Sequence, residues 1–284
     1  MAHELSPVII KNVVDAIAED VAGGDLTAEL LPRDAMAHAE IKCRDDCVLA
    51  GEPWASEVFR QVDQSLTVTW HASDGDAVSA DSIICSIDGN ARSILTAERT
   101  ALNFLQLLSA VATSSKQHVD AVAGTNCRIL DTRKTIPGLR TAQKYAVRMG
   151  GAVNHRVGLY DAILIKENHI ASAGGIREIL AAVPEDTPAS VVEIEVESLE
   201  DLRTALEAGA KRIMLDNFSL EETTEAVRVN REEFSSSAEL EASGGKTLED
   251  LKATAQTGVD YISVGALTKH IQAVDLSMLV ELVD

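Results

Sequence analysis

Arg133, Lys134, His155, Arg156 and Lys166 fall in one stretch, DTRKTIPGLRTAQKYAVRMGGAVNHRVGLYDAILIKENH, from Asp131 to His169. Seven Lys/Arg against three acids make this stretch +4, whereas the 284-residue chain carries −20, leaving −24 for the other 245 residues. Cations gathered in this way suit a small polyanion. Planar guanidinium forks pair bidentately with carboxylates, and the compact lysine ammonium serves as a point charge for phosphate.

Carboxylates and glycines follow the cations in order. VEIEVE puts Glu193, Glu195 and Glu197 on one face of a strand, and an inner strand of a covered sheet should be apolar, so at least one of them serves a ligand. Asp216 ends RIML one unit later. Such a pair suits ribose hydroxyls, Mg²⁺ held through water, or positive charge developing on a sugar carbon. Glycoside hydrolysis also uses paired carboxylates, but it does not call for the cationic cluster. Ser243-Gly244-Gly245 precedes a helix expected near Thr247, and Gly265 lies in SVGA one unit later; glycines there let backbone N–H groups approach a phosphate.

These residues need strand ends to hold them. Short apolar runs at CRIL, AILI, VVEIEV, RIML, LEAS and YISV alternate with amphipathic stretches, which predicts six parallel βα units. SLEDLRTALEAGAKRIML from Ser198 and TLEDLKATAQTGVDYISV from Thr247 repeat one such unit, each with a Ser/Thr N-cap and a glycine suited to C′. Barrels of this class carry their chemistry at the C-terminal strand ends, and their last two loops often bind phosphate. The earlier part reads as antiparallel strands with a few helices, among them Pro7 to Glu19, about Gly51 to Val62, and Leu95 to about Val122. WHASDGDAVSADSIICSIDGNARSIL has the rhythm of a lipoyl or biotinyl carrier hairpin, but no lysine occurs between Lys42 and Lys116 to bear the cofactor.

Composition excludes other classes. A net charge of −20 argues against nucleic acid and anionic membranes as partners. Neither a secretory start nor an apolar stretch of about 18 residues is present, which predicts a cytoplasmic protein. Cys43 and Cys47 lack a second ligand pair, so buried reduced thiols are expected rather than structural zinc.

Over nearly its whole length the chain resembles quinolinate phosphoribosyltransferases. The resemblance rests on EDVAGGDLT, AERTALNFLQLLS, ILDTRKTIPGLR, GGAVNHRVGLYDAILIKENHI, VEIEVES, IMLDNF, LEASGG and YISVGALT. It implies an α/β fold: an N-terminal α+β open-faced sandwich domain over residues 1–110, joined by a returning segment 271–284, and an incomplete α/β (TIM-like) barrel over 111–270. The implied reaction moves phosphoribose from phosphoribosyl pyrophosphate to quinolinate with decarboxylation, giving nicotinate mononucleotide, pyrophosphate and CO₂ with Mg²⁺ as cofactor. A related barrel acting on another anionic acceptor is the alternative, and a non-enzymatic phosphate-ligand binder a third reading.

The resemblance also implies roles. Arg133, His155 and Arg156 hold the quinolinate carboxylates, with Thr132 among the substrate contacts. Arg99 reaches in from the other subunit of a homodimer, and a higher oligomer is compatible. Lys134 and Lys166 meet carboxylate or pyrophosphate. Glu195 and Asp216 meet ribose hydroxyls or the metal, and Ser243, Gly244, Gly245, Ser263, Val264 and Gly265 the 5′-phosphate. Lys134, Lys166, Glu195 and Asp216 form the catalytic set.

Overall fold

Alternating and continuous apolar runs sort the chain into two kinds of sheet. In the computed structural model, which describes residues 2–283, the order is α1 (Ala2–Asp20), β1 (Met36–Cys43), β2 (Cys47–Val48), α2 (Glu52–Val62), β3 (Thr67–Trp70), β4 (Ala77–Val78), β5 (Ile83–Asn90) and α3 (Ala91–Ala121). Then come β6 (Arg128–Leu130), α4 (Arg140–Met149), β7 (Ile163–Ile165), α5 (Glu167–Ala173), α6 (Ile176–Ala181), β8 (Val192–Val196), α7 (Leu199–Glu207) and β9 (Arg212–Asp216). The chain closes with α8 (Leu220–Glu232), β10 (Glu239–Ser243), α9 (Leu251–Gln256), β11 (Tyr261–Ser263), α10 (Ala266–Lys269) and β12 (Leu276–Val283). One compact unit takes the residues up to Lys116, Thr135–Gly151, and those from Leu267 on; the other takes Gln117–Lys134 and Ala152–Ala266.

The first unit is built on a four-stranded antiparallel sheet ordered β12-β1-β5-β3. Along β1, Ala37, Ala39, Ile41 and Cys43 are buried while the residues between them are not, the period-2 pattern of a sheet covered on one face. β12 returns antiparallel to β1, pairing Leu276 with Cys43. Leu102, Leu105, Leu108 and Val111 of α3 are buried, each worth roughly 1.5–3 kcal/mol of apolar transfer. α4 belongs to this unit rather than to the parallel one, where the sequence placed it. Its reason is a close approach: a Cβ on Gly150 would lie 2.2 Å from Ala112 O and 2.6 Å from Ser115 Cβ, so only glycine lets the end of α4 meet α3. Trp54 is buried with its ring centroid 5.3 Å from that of Tyr145. Tyr145 Oη donates to Asp74 at 2.7 Å, and Asp74 in turn accepts the N–H groups of Gly51 and Glu52, capping α2 from a distant turn. All four cysteines are free and buried.

The second unit is a parallel sheet ordered β6-β11-β10-β9-β8-β7, six strands where the sequence shows six runs. Val153 adds one parallel bridge to Leu130 on the outer side of β6, the start of a seventh stave. No pairing among the described residues joins that stave to β7, so this is an incomplete TIM-like barrel. Residues facing the helices are apolar: Ile194, Ile213, Leu215, Leu240, Ala242 and Ile262 are buried. In the first copy of the repeat, Ser198 accepts from Asp201 N and caps α7. The second copy departs from expectation. Thr247 gives its hydroxyl to Asp250 at 2.7 Å, just as Ser198 gives its own to Asp201, but the Asp250 N–H goes to Thr247 O at 3.1 Å and not to the hydroxyl; α9 starts only at Leu251. Gly209 and Gly258 do take left-handed φ of +85° and +96° after their helices.

Candidate active site

Strand parity decides what reaches the carboxyl edge of the parallel sheet. Glu195 lies beside Met214 across β8 and β9, and Ser243 beside Asp216 across β9 and β10, so Glu195, Asp216 and Ser243 share one face. Opposite parity carries the apolar set, which is why acidic side chains survive in inner strands. Lys166, at the end of β7, gives its Nζ to Glu195 Oε2 at 2.5 Å; the lysine side chain is 44 % exposed and the glutamate 8 %. Asp216 is half-buried, and its Oδ2 accepts Asn217 Nδ2 at 2.7 Å.

Thr132 and Lys134 follow β6. The Lys134 N–H donates to Thr132 Oγ1 at 3.1 Å, closing a turn. That turn sits against Gly265: a Cβ there would lie 3.1 Å from Lys134 Cδ and 3.6 Å from Thr132 Oγ1. The loop after β6 and the loop after β11 thus come together. Gly244 and Gly245 have φ of +98° and +53°, and a Cβ on Gly244 would lie 2.3 Å from Asn217 Oδ1. Since α9 begins at Leu251, the glycine turn offers its own backbone, not a helix N-terminus, to an anion. Val264 is 2 % exposed and donates its N–H to Leu130 O at 2.9 Å, so it has no free donor for a phosphate. Ser263 is buried on the inner side.

His155 and Arg156 lie in the loop after the Val153 bridge. Asp131, fully buried, anchors that loop by accepting His155 N–H at 2.8 Å and Asn154 Nδ2 at 2.7 Å. The His155 ring has both nitrogens engaged: Nδ1 accepts the Arg156 N–H at 2.7 Å, and Nε2 lies 2.8 Å from Glu193 Oε2. Arg156 Nη1 donates to Ala162 O at 3.3 Å. Burial, and then the neighbouring charge of Arg133, pushes the Arg156 guanidinium down from its ordinary value, although it remains a cation. Arg99 belongs to the first unit, where it is exposed on α3 and pairs with Glu98 at 3.7 Å.

Glu241, Arg212 and Asn217 were not singled out from the sequence. Glu193, Glu241 and His155 bring ligand atoms within 4.8 Å of one another, and Arg212 faces both carboxylates at 3.6–3.8 Å. Burial pushes Glu241 well above the usual carboxylate range. Burial opposes ionisation of Glu193 too, but His155, by its hydrogen bond and then by its charge when protonated, and after it the Arg212 charge hold it below its ordinary value. The signal was available: β10 reads ELEAS, and Glu241 is an acid in its middle, at the parity of Ser243. Asn217 shows no such signal. Its left-handed φ of +58° lets its N–H reach Ser243 O at 3.1 Å, tying the loop after β9 to that after β10. Glu197 lies past the end of β8 and is exposed, leaving Glu193 and Glu195 as the inner pair.

A cavity of about 700 Å³ opens at the opposite edge, lined among others by Lys211, Arg212, Glu239 and Asp260, where strands begin. We favour the carboxyl edge as the reactive one, since βα loops emerge there and the conjunction of cations, acids and glycine turns lies there.

Comparison with known proteins gives the family. Residues 25–109 match the quinolinate phosphoribosyl transferase N-terminal domain, and residues 111–279 the C-terminal domain of the same family. A nicotinate-nucleotide pyrophosphorylase (carboxylating) of Mycobacterium leprae is 40 % identical over 267 residues, covering 93 % of this chain and 94 % of its own. A quinolinate phosphoribosyltransferase (decarboxylating) of Nicotiana glauca is 38 % identical over 283 residues, 94 % of this chain and 80 % of its own. The solved nicotinate-nucleotide pyrophosphorylase of Francisella tularensis superposes with a TM-score of 0.92 at 46 % identity, over 97 % of this chain and 96 % of that one. The chain belongs to the quinolinate phosphoribosyltransferase family.

Proposed function

We propose that the protein transfers phosphoribose from phosphoribosyl pyrophosphate to the ring nitrogen of quinolinate, with loss of the 2-carboxylate, in NAD synthesis. The observation that carries this is that the Lys166–Glu195 pair and the Thr132–Lys134 turn set against Gly265 both follow the carboxyl ends of strands of one parallel sheet. Two ring carboxylates and three phosphate groups bring more negative charge than a site can accept without several cations.

Arg133 and Arg156 take the quinolinate carboxylates, and His155 acts through Arg156, because its own ring nitrogens are engaged. The glycine turn at 244–245 and the loop at Gly265 take the 5′-phosphate. The pyridine nitrogen attacks C1′ of the ribose as the bond to pyrophosphate breaks. Charge builds on the sugar in that step, and Glu195 and Asp216 face it. Lys134 and Lys166 balance the departing pyrophosphate. The C2–carboxylate bond then breaks with its electron pair left on C2, where the adjacent quaternised nitrogen stabilises it, and a proton from solvent takes up that pair once CO₂ has left.

Mg²⁺ fits the donor set in the way this ion prefers: two carboxylates on neighbouring strands, with its other positions left to water and phosphate oxygens. Held by Glu195 and Asp216, it would neutralise charge on the pyrophosphate. Exposed Arg99 completes a quinolinate site in the other subunit of a homodimer, and the enzyme works in the cytoplasm. No helix among the described residues is long and apolar enough to cross a membrane. Incubation with phosphoribosyl pyrophosphate, Mg²⁺ and quinolinate should yield nicotinate mononucleotide. Pyrophosphate release that requires a different anionic acceptor would overturn this reading.

A further inference from the structure

His155 joins the acceptor loop to a buried polar cluster that the proposed chemistry does not use. Its Nδ1 receives the Arg156 N–H at 2.7 Å, so that nitrogen carries no proton. The ring proton therefore lies on Nε2, which donates to Glu193 Oε2 at 2.8 Å and has Glu241 Oε2 at 3.7 Å. Behind the two carboxylates stands Arg212, its Nη2 3.8 Å from Glu193 Oε1 and 3.6 Å from Glu241 Oε2, and its guanidinium 5.0 Å from the centroid of the Tyr261 ring. Glu193 is 4 % exposed and Glu241 1 %.

This cluster costs the fold stability. Glu193 Oε1, both Glu241 oxygens and Arg212 Nε are buried without a hydrogen-bond partner. Incompletely bonded buried polar groups of this kind persist where they fix something in place. What this one fixes is the ring of His155, and with it the backbone of Arg156.

We infer that Glu193, backed by Glu241 and Arg212, is a positioning residue for acceptor recognition: it holds His155 as the Nε2–H tautomer, so that Nδ1 can set the Arg156 backbone and direct its guanidinium. The inference rests on the reading of Arg156 as a contact for the acceptor's carboxylate. Without Glu193 the ring loses its anchor and can turn or shift its proton, and the Arg156 N–H loses its acceptor. The effect should fall on the pyridine dicarboxylate and not on the phosphoribosyl donor.

The test uses the full chain. Glu193→Ala should raise KM for quinolinate at least about tenfold while KM for phosphoribosyl pyrophosphate stays within about threefold. Glu193→Gln keeps an oxygen for the Nε2 proton and should recover most of the loss. Equal rises in both KM values, or no recovery with Gln, would overturn the inference. Should the alanine variant fail to fold, wild-type protein with ¹⁵N-labelled histidine decides by long-range ¹H–¹⁵N spectra, with His155→Asn identifying the signal. The Nε2–H tautomer at neutral pH supports the inference; an Nδ1–H tautomer or an imidazolium refutes it. A wild-type protein inactive on quinolinate would sink the proposed function, while the tautomer would still judge the Glu193–His155 link separately.

Discussion

Lys166→Ala removes the cation from a carboxylate that water scarcely reaches. Glu195 is 7 % exposed and receives Lys166 Nζ at 2.5 Å, so the variant leaves a nearly buried charge with its partner gone. Breaking a fully buried pair on one side costs about 3–5 kcal/mol, whereas exposed pairs are worth roughly 0–1. With the lysine side chain 44 % exposed, water partly replaces the ammonium, and a stability loss of about 2 kcal/mol is expected between those limits. Glu195→Gln removes the buried charge, so adding Lys166→Ala to it should cost little more. Urea unfolding of the wild type, both single variants and the double variant closes the cycle. A coupling of about 1–2 kcal/mol is expected, and additivity within about 0.5 kcal/mol would refute the claim that this contact balances a desolvated carboxylate.

Three further outcomes follow from particular contacts. Gly244→Ala forces a side chain into φ +98° with its Cβ 2.3 Å from Asn217 Oδ1; about 2–3 kcal/mol of stability should be lost and KM for phosphoribosyl pyrophosphate raised, both read by unfolding and steady-state kinetics. Glu241 binds its proton more tightly folded than unfolded, so wild-type stability should fall as pH rises from the ordinary carboxylate value toward its raised folded value. Glu241→Gln cannot ionise and should show a flatter profile there; parallel profiles would contradict this. Mixing Arg99→Ala with Lys166→Ala under subunit exchange should restore up to about a quarter of wild-type activity if Arg99 serves the other subunit, since half the dimers then hold one intact site. No recovery with heterodimers verified by mass spectrometry would count against sharing.

The sheet strands were legible because parity and apolar runs are local signals. β6 to β11 fall on the six runs, and Glu195, Asp216 and Ser243 come to one face as their spacing requires. What the sequence hid depends on contacts distant in the chain. α4 joins the first unit because Gly150 permits contact with α3 across a separation of nearly forty residues. α9 starts late because the Asp250 N–H goes to the Thr247 carbonyl, whereas the matching Asp201 N–H goes to the Ser198 hydroxyl; the hydroxyl-to-Asp bond itself is the same in both copies. His155 was read as a direct contact because its neighbour Arg156 marks a carboxylate site. Only the placement of Glu193, thirty-eight residues on, shows that its ring nitrogens are engaged within the chain. Charge in an inner strand signals purpose, but that Glu193 pairs with His155 while Glu195 pairs with Lys166 depends on depth along the strand, which spacing alone does not give.

The central claim is that this site joins a ribose to quinolinate and releases one particular carboxylate. Quinolinate labelled with ¹⁴C in the 2-carboxylate, incubated with the protein, phosphoribosyl pyrophosphate and Mg²⁺, should release labelled CO₂ in step with pyrophosphate, while label in the 3-carboxylate should stay in the nucleotide. Pyrophosphate released without labelled CO₂, or label lost equally from both positions, would contradict the account.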